Sequence, residues 1–118
     1  MNGAEATGQA GYLMVRSRLA DPADRAAFDR WYDDNHAPLA ARKLGARSGR
    51  RFWSVTDPQV HCALYAFDSL EALQAAMASE VAQWLIADYD RYWPEPRVTR
   101  SREIWADAGE VDIGKAEL

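Results

Sequence analysis

The chain has 118 residues, of which 48% are hydrophobic and 27% charged, enough for one ordinary core and too few for two. A net charge of −4 with a pI near 5.1 argues against whole-surface capture of nucleic acid, and no run approaches the roughly 18 apolar residues of a membrane span. One small soluble domain is expected, with neither nucleic acid nor membrane as partner.

Met1 to Gly11 lacks the basic start and apolar centre of a secretory signal, which predicts a cytoplasmic protein. The lone Cys62 agrees with a reducing compartment, since it has no internal disulfide partner.

Residues 12 to 19 alternate, with Leu13, Val15 and Leu19 on one side and Tyr12, Met14, Arg16 and Arg18 on the other, the pattern of a first strand. Asp21-Pro22 supplies an N-cap with proline behind it, and Phe28, Trp31, Tyr32, Asn35 and His36 follow at i, i+3, i+4, i+7 and i+8, a helix with one aromatic stripe. Pro38 disfavours helix at Ala37, so regular helix is expected to end near His36, with irregular helix toward Lys43. Arg50 to Val55 reads as a second strand stopped by Asp57-Pro58, and His61 to Phe67 as its hairpin partner. Asp68 and Glu71 have capping-box spacing, and Leu70, Leu73, Met77, Val81, Trp84, Leu85 and Asp88 continue a helical period, with a break near Ser79. Trp93-Pro94-Glu95-Pro96 leaves that helix, and Arg97 to Trp105 alternates as a fourth strand.

The order is βαββαβ, which predicts an α+β, ferredoxin-like domain over residues 11–105, between a flexible N-terminus (1–10) and an acidic C-terminal tail (106–118). Two helices cover one face of a four-stranded antiparallel sheet. Large residues nevertheless stand on both sides of the strands: Phe52 beside Trp53, Leu64 beside Tyr65, Ile104 beside Trp105. A second sheet is the simplest cover for the remaining face, so a homodimer is expected.

His36 is the first candidate for chemistry, because imidazole exchanges protons near neutral pH and shares a helical face with Phe28, Tyr32 and Asn35. The alternative is structural, with the ring closing the helix end against a carbonyl or water. Five Trp and five Tyr pack a core or line a partly polar cavity for a small ligand. From Asn35 to Thr56 there is no acidic residue, while Arg42, Lys43, Arg47, Arg50 and Arg51 all occur; this is a solvated surface or an anion-binding one. His36, His61 and Cys62 are the only His and Cys candidates for a metal, and strand neighbours point to opposite faces, so no metal is expected. No phosphate-cradling glycine loop, nucleophile elbow or paired-cysteine motif occurs, which leaves chemistry without a cofactor as the enzyme option.

The segment Phe28-Asp-Arg-Trp-Tyr-Asp-Asp-Asn-His-Ala-Pro-Leu39 resembles the first-helix motif of EthD-like members of the dimeric α/β-barrel superfamily. Phe28, Trp31, Tyr32, His36 and Pro38 match its aromatic, Trp-Tyr pair, His and Pro positions. The resemblance implies two ferredoxin-like protomers whose sheets face each other as a barrel, each with a pocket between helices and sheet. Relatives include dehydratases, cyclases, lactone isomerases, cofactor-free quinol oxygenases and proteins without known activity, so the fold does not choose the reaction.

Two function classes follow. In one, a small lyase or isomerase without a cofactor moves a proton on a planar aromatic or carbonyl compound. His36 is the acid or base, Tyr32 donates to a substrate oxygen, Phe28, Asn35, Trp53, Tyr65 and Trp84 contact the substrate, and Arg51 offsets developing enolate charge. In the other, the same aromatic face belongs to a non-catalytic small-molecule-binding or stress-related homodimer. A quinol monooxygenase without cofactor, using the aromatics and Asn35, is a further alternative.

Overall fold

The computed structural model describes residues 9–116; most of the expected flexible N-terminus, and the last two residues of the tail, lie outside them. Four strands, β1 (Gly11–Leu19), β2 (Ser48–Trp53), β3 (Val60–Phe67) and β4 (Val98–Ala106), form one sheet in the order β2-β3-β1-β4. Each neighbouring pair is antiparallel. The helices are α1 (Arg25–Trp31), α2 (Ala37–Leu44), α3 (Leu70–Met77) and α4 (Glu80–Tyr92). This is the expected α+β, ferredoxin-like fold, each helical half of which is divided in two.

The first division lies at the site. Asp21 accepts a hydrogen bond from the Ala23 N–H, and the helix runs to Trp31 before widening into a π turn over Tyr32–His36. There the Ala37 N–H donates to the Tyr32 carbonyl, five residues back. Proline lacks an N–H, and its ring would strike the carbonyl four residues before it; opening the turn just ahead of Pro38 relieves both problems. Helix therefore resumes as α2 instead of ending near His36. It stops at Gly45, whose φ of 82° is the left-handed conformation that glycine adopts without penalty.

The second division is the expected break near Ser79, whose hydroxyl accepts from the Ala82 N–H and starts α4. The cap of α3 differs from the capping-box reading. Ser69 takes that position, accepting from the Ala72 N–H at 3.0 Å, while Asp68 pairs with Arg47 at 3.4 Å. Ser and Asp are comparable caps, and the residue with extended backbone directly before the first turn fills the role.

The period of the strands decides what meets the helices. Leu13, Val15, Ser17 and Leu19 of β1 are buried in turn, as are His61, Ala63, Tyr65 and Phe67 of β3, and with Phe28, Tyr32, Leu73, Leu85, Tyr89, Trp93 and Val98 they form the core. The register sets Trp53 opposite His61 and Arg51 opposite Ala63, so Trp53 and Tyr65 face the helices as expected. The reverse face carries Tyr12 paired with Trp105 and Ala66, and Phe52 paired with Cys62. Among the described residues no helix covers it, and Phe52 and Trp105 are 45% and 48% exposed.

Candidate functional site

A cleft opens between the helices and the sheet. Leu13 and Val15 of β1, Ala40 of α2, Met77 of α3 and Leu85 of α4 give it apolar walls, and His36, Tyr65, Tyr89, Arg100 and Arg102 give it polar groups. Its free volume is about 40 Å³, room for a few waters, each of which needs roughly 10–15 Å³. A ring-sized ligand therefore requires side-chain movement, for which the unbranched Met77 on the wall is suited.

The π turn places His36 in this cleft. Its ring stacks on Trp31 at 4.7 Å and 14° and meets the edges of Tyr32 at 5.2 Å and Tyr89 at 5.4 Å. The residue is 8% exposed, and Nδ1 is buried without a hydrogen-bond partner. Burial lowers the imidazole pKa from 6.5 to about 4; Asp88 opposes the shift and Arg100 adds to it. His36 is thus neutral at physiological pH, able to accept a proton, and its conjugate acid gives that proton up readily.

Three tyrosines surround it. Tyr65 lines the cleft and Tyr32 is fully buried behind it; neither hydroxyl has a hydrogen-bond partner, although they lie close enough to influence each other's proton. Burial pushes Tyr32 well above its ordinary value and Tyr65 up to about 12. Tyr89, also raised to about 12 chiefly by burial, shares a 2.6 Å hydrogen bond with the Ser17 hydroxyl. All three remain protonated at neutral pH, so they serve as donors and not as bases. Gly49 makes room for Tyr65: a Cβ there would stand 3.3 Å from its ring.

The other expected site residues divide. Phe28 is fully buried beneath the cluster. Arg51 and Trp53 face the helices but do not line the His36 cleft. Both hold Asp29: Trp53 Nε1 donates to Oδ1 at 2.7 Å, and Arg51 donates to the same oxygen at 3.0 Å. These bonds, with that from Trp53 foremost, hold the Asp29 carboxyl below its usual range. Arg51 also pairs with Asp33 at 3.3 Å and lies 3.2 Å from His61 Nε2, so its charge is already answered. Asn35 is exposed, because the wider π turn carries it off the 3.6-residue stripe. Trp84 is 52% exposed while Ala82, Leu85 and Tyr89 are buried; the inward stripe of α4 runs through these three, not through Val81, Trp84 and Asp88.

Besides the aliphatic walls, the site includes Trp31 under His36 and Tyr89, Arg100 and Arg102 on the cleft, none of them among the candidates. Arg100 and Arg102 stand two and four residues after the buried Val98, so the two-residue period of β4 puts them on its helix-facing side. His61 is 0% exposed, with its pKa lowered to about 4 by burial and then by Arg51.

Among the described residues, no group of three or more His, Cys, Asp or Glu is placed to hold a metal ion, and no helix is long and apolar enough to cross a membrane. A search of curated proteins returns no match. Solved structures do share the fold. HapK from Hahella chejuensis is similar with a TM-score of 0.62 at 13% identity, covering 86% of this chain and 96% of that one. SnoaB from Streptomyces nogalater, a cofactor-independent oxygenase solved as its N63A mutant, is similar with a TM-score of 0.57 at 12% identity, covering 87% and 96%. An ethyl tert-butyl ether D (EthD) family protein from Bacillus halodurans is 22% identical, with a TM-score of 0.54 and coverage of 78% and 96%. The EthD domain signature matches residues 20–93, a span that contains the π turn, both buried histidines and Tyr65, and the chain belongs to the EthD family.

Proposed function

We propose that this protein is a cytoplasmic, cofactor-independent lyase or isomerase that moves a proton on a planar aromatic or carbonyl compound, with His36 as the base. The observation that carries the reading is a buried imidazole on the wall of an apolar cleft that also holds Tyr65 and Tyr89, where burial keeps the ring neutral at physiological pH. In the step, a carbon–hydrogen bond beside a carbonyl breaks, the proton passes to the His36 ring, and the electron pair moves onto the carbonyl oxygen as an enolate. Tyr65, on the cleft wall, donates its hydroxyl to that oxygen, and Tyr32, with its ring against the imidazole and its hydroxyl close to that of Tyr65, positions both. The low pKa of His36 then favours return of the proton to a neighbouring carbon or to a departing hydroxyl.

The test needs no natural substrate. A panel of cyclic and aryl 1,3-diketones is incubated with the protein in deuterated buffer, and exchange at the activated carbon is followed by proton NMR. His36→Ala should slow exchange by about a hundred- to ten-thousand-fold; an equal rate in the variant would remove His36 from the role.

The small free volume and the three-ring clamp on His36 support the second reading, a binding or stress-related protein without catalysis. It predicts ligand binding without exchange. The quinol oxygenase reading draws on the likeness to SnoaB but loses the support of Asn35, which points to solvent; oxygen uptake with a quinol panel tests it. For every reading we propose a homodimer closed over the open sheet face, where Phe52 and Trp105 are exposed. Light scattering at micromolar concentration should give twice the chain mass.

A further inference from the structure

Arg100 and Arg102 leave β4 opposite Ser17 and Val15 of β1, and both line the cleft that holds His36. The Arg100 guanidinium lies 3.9 Å from the centre of the Tyr89 ring and pairs with Asp90 at 2.9 Å, its side chain only 11% exposed. One carboxylate thus answers Arg100. Arg102 has no salt-bridge partner among the described residues; the residue is exposed overall, while the desolvated part of its side chain and the neighbouring Arg100 work against its charge. Asp90 also acts on Arg102, but only at longer range, so Arg102 is the cleft arginine whose N–H groups no described carboxylate pairs with.

The same arginines and Tyr89 border a second depression of about 350 Å³ between α4 and β4, together with Asp90, which pairs with Arg100, and with Pro94 and the exposed Glu95. The narrow apolar cleft and this wider polar depression share Tyr89, Arg100 and Arg102 as a common wall. Together they have the scale of a small-molecule site, apolar at one end and bearing Arg102, with no salt bridge of its own, at the other. A guanidinium without a salt-bridge partner gains most from a planar anion that accepts two parallel N–H bonds.

We propose that the ligand of this site is an aromatic carboxylic acid, its ring in the cleft beside His36 and its carboxylate on Arg102. The assignment rests on reading the His36 cleft as a small-molecule site, and it adds the charge of the ligand and the residue that selects it.

Benzoate and benzamide, near-equal in shape and different in charge, are the probes, titrated into the full-length protein and followed by ¹H–¹⁵N NMR. Benzoate should bind about ten-fold or more tightly than benzamide. Arg102→Gln should abolish that preference while leaving the benzamide affinity unchanged, which also reports that the variant is folded. Equal affinities in the wild type, or a preference that survives Arg102→Gln, would overturn the acidic ligand and leave the cleft reading standing. Failure of both probes to shift any resonance around His36 would overturn the cleft reading and the ligand with it.

Discussion

His36 and His61 are two buried imidazoles on either side of Tyr32, with ring centres 5.2 Å and 4.5 Å from it. Burial lowers each to a pKa of about 4, and each has an unpartnered Nδ1. Their surroundings differ. His61 is sealed at 0% exposure, its Nε2 beside Arg51 and its ring against the edges of Phe28 and Trp53. His36 forms part of a cleft wall, with Tyr65 and Arg102 on the same cavity. A depressed pKa alone therefore does not mark a catalytic group; access and uncommitted neighbours do.

The strongest way to break the distinction is to remove the ring between the two histidines. Tyr32→Ala should cost about 3–5 kcal/mol, the range for deleting a fully buried aromatic, read as a lower urea midpoint, and it should loosen both sites together. A smaller effect separates them by pH. Both folded pKa values, about 4, lie below the unfolded 6.5, so the unfolded chain binds more protons in that interval. Stability is full above about pH 6.5 and falls as pH drops toward 4, by at most about 2 kcal/mol per histidine at pH 5. His36→Gln and His61→Gln should each flatten part of this dependence in urea titrations, while only His36→Gln slows diketone exchange.

Periodicity made the fold legible, together with the inward positions of Trp53 and Tyr65, because a half-buried antiparallel strand alternates and one residue of slip would expose its core side. The site was legible where it rests on the Phe28–Tyr32–His36 stripe. It failed where local geometry departs from 3.6 residues per turn or where two adjacent residues compete. Asn35 left the stripe through the π turn, and of Trp84 and Leu85, both on the expected stripe, only Leu85 is buried, a choice between neighbours that hydrophobicity alone does not resolve. Arg51 shows a further limit: its inward direction follows from register, but its pairing with Asp29 and Asp33 depends on how a helix packs over the sheet.

The smallest effects sharpen the contrast most, since each histidine has its own carboxylate. Asp88 raises the pKa of His36 and Asp29 raises that of His61, in each case against burial. Asp88→Asn should lower the His36 pKa and leave His61 in place. Asp29→Asn should do the reverse, and because it also frees Arg51 from one partner the positive charge beside His61 should lower it further. Asp29 is partly exposed, so the loss in stability should be about 1 kcal/mol or less. Carbon-detected NMR titration of the two imidazoles reads both shifts in one experiment. If either variant moved both histidines equally, Tyr32 would be transmitting a change through a single shared environment, and the division into an open site and a sealed one would fail.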